Sequence, residues 1–437
     1  MTQVCRSGWR LLLFHVAAGA GEAKINRSES RALAHRLRRL INPKIGRQDC
    51  SLLILFHPYS FYSLTVSEEL PCFLPVCGLD NQATLFENIG LMRYEELFSM
   101  LLELDYTQPI SDENITVTDT TFSDIPVRLY FPKGESESPR RAVIFVHGGN
   151  FALGSYKLTS YDMLNRWTAN KLDAVVVGVD YRLAPKYQFP VALEDVFAAV
   201  KFFLQDKILT KYGVDPTRIC VSGDSCGASF ATRVIQLMKN NPEFKIKIKA
   251  QALVYPQLRT LDLYTPSFRE NEHGPLLSRD MALKIGCLYL TTDEVCFRAL
   301  KANQHMPQGS RHLFKFVNWS IFLPEKYRKN QVYTEPILGR FDFSHPGLMD
   351  DRLSSLLVND TLLQNLPLTY ILTCQHDAVR DDGLMYVTRL RKVGVEVAHN
   401  HIEDGIHAAI SYLGPPFYLH LGIRIRDKYI SWLDENL

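Results

Sequence analysis

Short runs made almost wholly of apolar residues alternate along this chain with segments whose apolar residues recur at helical spacing. The runs are "RRAVIFVHGG" (140–149), "LDAVVVGVDYRLAP" (172–185), "RICVS" (218–222), "IKAQALVYPQL" (248–258) and "LPLTYILTC" (366–374). Between them lie "PVALEDVFAAVKFFLQDKI" (190–208), "SFATRVIQLMKN" (229–240) and "DGLMYVTRLRKVG" (382–394), each apolar at intervals of three and four. A strand with so few polar residues must be covered on both faces. This order therefore predicts an α/β protein with a mostly parallel central sheet and helices on both faces. "TVTDTTFSDIPVRLYF" (116–131) reads as strands around a turn, and "VEVAHN" (395–400) as a late strand.

The regular order begins near residue 84 and fails between about 260 and 350, where Pro, Asn, His and aromatic residues mix with short helical pieces such as "SRDMALKIGCLYL". A block that long is too large for an ordinary connection. It is expected to form a helical cap over the carboxyl ends of the strands, with part of the amino-terminal region contributing. The expected organisation is thus an amino-terminal targeting or cap region over 1–83 and one large domain over 84–437 that carries the insertion.

The 437 residues are enough for such a domain, and 49 basic residues nearly balance 47 acidic ones, which argues against a nucleic-acid partner. Basic residues do cluster in "RALAHRLRRL" and "KIKIKA". The first reads as an amphipathic helix and the second as a strand entering the core, each presenting a solvated face. The nine cysteines show no repeated metal-ligand spacing, and Cys72 and Cys77 have no histidines beside them, so no metal is expected. Sequons stand at Asn26, Asn114, Asn318 and Asn359, and matter if the chain enters a secretory lumen. "WRLLLFHVAAGAG" (9–21) resembles a signal peptide, and "CSLLILFHPYSFYSLTV" (50–66) is a second apolar stretch broken by His57 and Pro58. Neither has the roughly twenty predominantly apolar residues of a membrane span, so an interfacial or buried segment is expected before a true anchor.

The chemistry is carried by four short motifs. "GDSCGA" (223–228) falls between an apolar run and a helical segment, where a G-x-S-x-G turn lifts its serine, Ser225, out of the sheet. Glycines bracket it because side chains there would collide with the closing backbone. A serine hydroxyl is a weak nucleophile until a base takes its proton, and in α/β-hydrolases the acid and the histidine follow the serine in chain order. Asp377 lies just past the run 366–374, whereas Asp381 and Asp382 fall where the next helix starts and read as caps. His407 follows a glycine-containing turn, while His399 and His401 sit nearer the strand and read as structural. "HGGN" (147–150) ends a buried strand, and its glycines let backbone N–H groups approach a substrate oxyanion. Each motif alone has an ordinary structural reading; their shared order makes a serine-hydrolase site. A dehydrogenase is disfavoured because "RICVSGDSCGAS" lacks G-x-G-x-x-G.

"VHGGN", "VDYRLAPKYQFP", "GDSCGA", "QHDAVRDDGLMYVTRLR" and "HIEDGIHAA" also resemble the arylacetamide deacetylase family, a branch of the hormone-sensitive-lipase group of carboxylesterases. The resemblance implies an α/β-hydrolase fold with a helical cap and a triad of Ser225, Asp377 and His407. It implies oxyanion-hole amides from Gly148, Gly149 and Cys226, and no cofactor. It further implies hydrolysis of lipophilic esters or acetamides, with the protein in the endoplasmic reticulum lumen, either amino-terminally anchored to the membrane or secreted. The chain departs from the family at Asn150, Cys226, Ala228 and Ala408, where glycine or another small residue is usual. Phe151 and Ala152 replace an aromatic residue followed by cysteine, which implies an unpaired Cys374. Asn150 restricts φ, although asparagine tolerates positive values, and is expected to lower turnover if it displaces the oxyanion amides. Two functions are therefore weighed: a carboxylic ester hydrolase or deacetylase acting through an acyl-enzyme on small lipophilic substrates, and a catalytically weak hydrolase-fold protein that binds lipophilic ligands.

Overall fold

The computed structural model describes residues 73–239, 241–244, 246–339, 345–414 and 418–437. The apolar stretches 9–21 and 50–66, the basic segment 31–40 and the sequon at Asn26 lie outside them. The chain divides into two compact units, residues 1–94 and 95–437. In the first, the helix Phe73–Asn88 is followed by a turn. The second holds the sheet.

That sheet has eight strands: β1 (Ile115–Phe122), β2 (Ile125–Pro132), β3 (Arg140–Val146), β4 (Ala174–Val179), β5 (Val214–Asp224), β6 (Ala250–Val254), β7 (Leu368–His376) and β8 (Val397–Ile406). Their spatial order is β1-β2-β4-β3-β5-β6-β7-β8. β1 and β2 form a hairpin whose two turn residues, Ser123 and Asp124, both have positive φ, the twist a two-residue hairpin requires. β2 runs antiparallel to β4, and from β4 to β8 every pair is parallel. β4 and β6 are buried at every position, as their unbroken apolar sequences demand. This is the mostly parallel sheet expected from the alternation of runs and helices, in the α/β-hydrolase order that the family resemblance implied.

The main helices on the sheet are α1 (Thr159–Leu172), α2 (Val191–Phe203), α3 (Cys226–Met238), α6 (Arg380–Lys392) and α7 (His420–Asn436), numbered with α4 (Arg279–Cys287) and α5 (Glu294–Lys301) of the insertion. β3 to β4 steps one way along the sheet, whereas β4 to β5, β5 to β6 and β7 to β8 step the other. Right-handed crossovers then put α1 on one face and α2, α3 and α6 on the opposite one. α7 packs on α1, and α2 on α3, so each face has its own helical layer. The reversal at β3 opens a crevice at the carboxyl ends of the strands, where ligands of open α/β sheets bind.

Between β6 and β7 the chain leaves the sheet and passes through α4, α5 and several shorter helical turns. The segment "KIKIKA" differs from its sequence expectation. The strand starts only at Ala250, because Lys247 and Lys249 are exposed and could not enter a strand buried on both faces. Among the described residues, no helix is long and apolar enough to cross a membrane.

Candidate active site

Ser225 sits at the turn between β5 and α3 with φ 54 and ψ −124, a backbone conformation that side chains rarely adopt. The turn is held by its own amide, which donates to the Val254 carbonyl at 2.9 Å. Its tightness explains the bracketing glycines. A Cβ on Gly223 would meet the Gly227 backbone at 2.6 Å, and one on Gly227 would meet the Val146 carbonyl at 2.2 Å. The turn therefore closes against itself and against β3, lifting the hydroxyl above the sheet edge.

His407 follows β8 and Asp377 follows β7, so two adjacent parallel strands deliver them to the same end of the sheet. Ser225 Oγ and His407 Nε2 are 2.8 Å apart, and His407 Nδ1 and Asp377 Oδ2 are 2.9 Å apart. The other Asp377 oxygen accepts the Val379 amide at 2.9 Å, which locks the carboxylate in its loop. All three side chains are buried, and the His407 ring rests against that of Tyr255 with centroids 4.7 Å apart. His399 and His401 point elsewhere, both within 2.8 Å of Thr373 Oγ1 between β7 and β8.

The glycine loop corrects one expectation. The Gly148 amide is engaged by Asp224 Oδ1 at 2.8 Å and by the Tyr161 hydroxyl at 3.0 Å, so it does not face a substrate oxygen. A Cβ on Gly148 would stand 2.7 Å from Asp224 Oδ2, which is why only glycine lets the loop dock there. Gly149 adopts φ 125, and a Cβ on it would overlap the Leu153 carbonyl at 1.9 Å. The Gly149 and Cys226 amides have no protein acceptor among the described residues.

Asp224 is a residue whose role sequence reasoning missed, although it lies inside the quoted motif. Burial pushes its pKa up, while the Gly148 amide and the Tyr161 hydroxyl oppose that shift. Its anchoring of the glycine loop, 76 positions earlier, has no local signature. Tyr181 is another: its ring stacks on His147 at 4.4 Å, and its hydroxyl donates to the His147 carbonyl at 2.9 Å.

The departures from the family pattern have structural readings. Asn150 and Ala408 have φ 52 and 59, in the left-handed region where the family places glycine. Asn150 Nδ2 donates to the Ala282 carbonyl of α4 at 2.7 Å. Cys226 Sγ is fully buried and accepts the Phe151 amide at 3.3 Å, tying the serine turn to the glycine loop; burial pushes its thiol up to about 12. Cys374 is buried and has no disulfide partner among the described residues. Beside the loop, Phe151 stacks on Tyr289 at 4.5 Å, with Phe230 and Phe189 edge-on to this pair. An enclosed Ser-His-Asp chain with free amides beside the hydroxyl and an aromatic cluster nearby is suited to acyl transfer from an apolar substrate.

Comparison with known proteins agrees with this chemistry. The family model described as an alpha/beta hydrolase fold matches residues 143–307 and 315–411. The chain is 67% identical over 355 residues to arylacetamide deacetylase-like 2 of Homo sapiens, covering 81% of this chain and 88% of that protein. It is 47% identical over 361 residues to arylacetamide deacetylase of Oryctolagus cuniculus, covering 82% of this chain and 90% of the relative. Among solved structures, a thermostable carboxylesterase cloned from a metagenomic library superposes with a TM-score of 0.56 at 27% identity, covering 80% of this chain and 97% of that one.

Proposed function

The chain belongs to the arylacetamide deacetylase family of α/β-hydrolases and is a carboxylic ester hydrolase, and on that premise we propose that Ser225 is its nucleophile, His407 its base and Asp377 the carboxylate that orients the base. The observation that carries this reading is the continuous hydrogen-bonded chain from Ser225 Oγ through both ring nitrogens of His407 to Asp377 Oδ2. Ser225 Oγ attacks the acyl carbon while His407 Nε2 takes its proton, and Asp377 stabilises the resulting imidazolium. The tetrahedral oxyanion is met by the Gly149 and Cys226 amides, with Gly148 acting behind them through Asp224. His407 then protonates the leaving alcohol or amine, and the same base activates water to release the acyl group.

The substrates proposed are small lipophilic esters or acetamides. The names of the relatives support the acetamide, and the aromatic cluster of Phe151, Tyr289, Phe230 and Phe189 supports the apolar character. The segment from about 260 to 350, within the connection from β6 to β7, serves as the cap of the domain, and the amino-terminal region over 1–83 as its targeting or anchoring element. The same kinship supports a secretory-pathway location, with the catalytic domain in the endoplasmic reticulum lumen or secreted.

The test is labelling with a fluorescent organophosphonate followed by peptide identification, with Ser225→Ala assayed on a short-chain aryl ester. Adduct on Ser225 and a loss of at least about a thousandfold in turnover are expected. A folded protein that neither labels nor turns over would instead be the ligand-binding hydrolase-fold protein.

A further inference from the structure

Two thiols in the insertion meet away from the catalytic chain. Cys287 is the last residue of α4 and Cys296 lies in the first turn of α5. The connection between them is tight: the Leu290 and Thr291 amides both donate to the Cys287 carbonyl at 2.8 Å, and the Cys296 amide donates to the Asp293 carbonyl at 3.1 Å. Asp293 caps α5 by accepting the Val295 amide at 2.8 Å, and Lys301 pairs with Asp280 across the two helices. This packing sets Cys287 and Cys296 at the facing ends of two helices that pack on each other, with the two thiols interacting and both side chains buried. By contrast, Cys220, Cys226 and Cys374 are buried singly, without a thiol partner among the described residues.

We propose that Cys287 and Cys296 form an oxidisable dithiol that closes to a disulfide by exchange with a small-molecule disulfide of the glutathione type. One thiolate attacks the disulfide and expels a glutathione thiolate, and the second thiolate displaces the remaining glutathione from the mixed disulfide. The protein loses two hydrogens and the oxidised glutathione becomes two molecules of the reduced thiol. The contact with Cys296 and then burial push the Cys287 thiol up, so Cys287 holds little thiolate in the fold. Exchange is therefore slow in the folded protein and fast while the helices are apart. Closure staples α4, the helix whose Ala282 carbonyl receives Asn150 of the glycine loop and whose Gly286 lies against the same side chain. The bond would thus stiffen the part of the insertion that touches the catalytic loop.

The purified full chain is equilibrated in a series of reduced and oxidised glutathione mixtures with mild denaturant, returned to native buffer, alkylated with maleimide under denaturing conditions and digested without reductant. A peptide joining Cys287 to Cys296 is expected in the oxidising mixtures, with Cys220, Cys226 and Cys374 alkylated in the same sample. Alkylation of both Cys287 and Cys296 across the whole series would overturn the proposal, as would their pairing mainly with other cysteines. As a second reading, the half-life of thermal unfolding of the oxidised wild type should shorten several-fold on adding reductant, while that of Cys287→Ser/Cys296→Ser should not change. An equal response of the two proteins would also overturn it. Neither measurement depends on esterase activity or on the compartment in which the protein resides.

Discussion

The side-chain amide of Asn150 donates to the carbonyl of Ala282 at 2.7 Å, and in doing so ties the glycine loop after β3 to helix α4 of the insertion. At φ 52 the asparagine occupies the region its glycine counterpart would use, so the loop keeps its path. Asn150→Gly should preserve that path and remove the tie. The loss of one hydrogen bond is worth about 1 kcal/mol, so kcat/KM should fall by roughly three- to tenfold. Steady-state kinetics on one ester would show it; a rise in kcat would instead mean that the side chain displaces the oxyanion amides.

Asn271 donates through Nδ2 to the Asp377 carbonyl at 3.2 Å and to the Ser267 carbonyl at 3.0 Å, and so braces the loop that carries the proposed acid. Asn271→Ala should lower kcat several-fold with little change in KM and cost about 1 kcal/mol of stability. An altered KM with unchanged kcat would separate Asn271 from the acid's positioning.

Ala408, next to His407, pays for a left-handed backbone at φ 59. That conformation costs an alanine about 1–2 kcal/mol, and the added freedom of glycine in the unfolded chain returns about 0.4–1 kcal/mol of this. Ala408→Gly should therefore stabilise the protein by about 0.5–1 kcal/mol without loss of kcat. Denaturant unfolding would reveal the gain, and a destabilised variant would contradict the backbone argument.

His305 is fully buried with Nε2 donating to the Thr260 carbonyl at 2.7 Å, and burial pushes its pKa down to about 4. The neutral ring is favoured in the fold. Stability is therefore fully present above the ordinary value near 6.5 and is lost as pH falls through about 4. The loss from this group amounts to roughly 3 kcal/mol, and His399, also pushed down to about 4, adds to the same slope. Unfolding free energies measured from pH 7 to 4 should fall less steeply in His305→Gln, which retains a donor for Thr260. Parallel slopes would remove His305 from the acid sensitivity.

Of the three described sequons, Asn114 and Asn359 are exposed, whereas Asn318 is half-buried and caps a helical turn by accepting the Ser320 amide at 3.0 Å. Asn359 likewise caps a turn, accepting the Leu362 amide at 3.0 Å. Expression in mammalian cells should therefore yield a glycan first at Asn114, read as a glycosidase-sensitive mobility shift that is reduced in Asn114→Gln. An unglycosylated chain recovered from cytosol would contradict the secretory location.

What the sequence by itself determined was everything carried by neighbours along the chain. Unbroken apolar runs such as Val175–Val177 could only be strands covered on both faces, and the helical spacing between them required crossovers. The order of Ser225, Asp377 and His407 at the ends of such runs was legible for the same reason, since parallel strands deliver their carboxyl ends to one edge. Tertiary structure decided which groups are left free at that edge. Gly148 and Gly149 are equivalent in a motif, yet Asp224 takes the amide of one and leaves the other unclaimed. Asn150 reads as an obstruction until α4 supplies the Ala282 carbonyl 132 positions away. The difference is physical: periodicity and turn chemistry are local, whereas the partner of a buried polar group depends on which distant backbone or side chain the packing brings within hydrogen-bond reach.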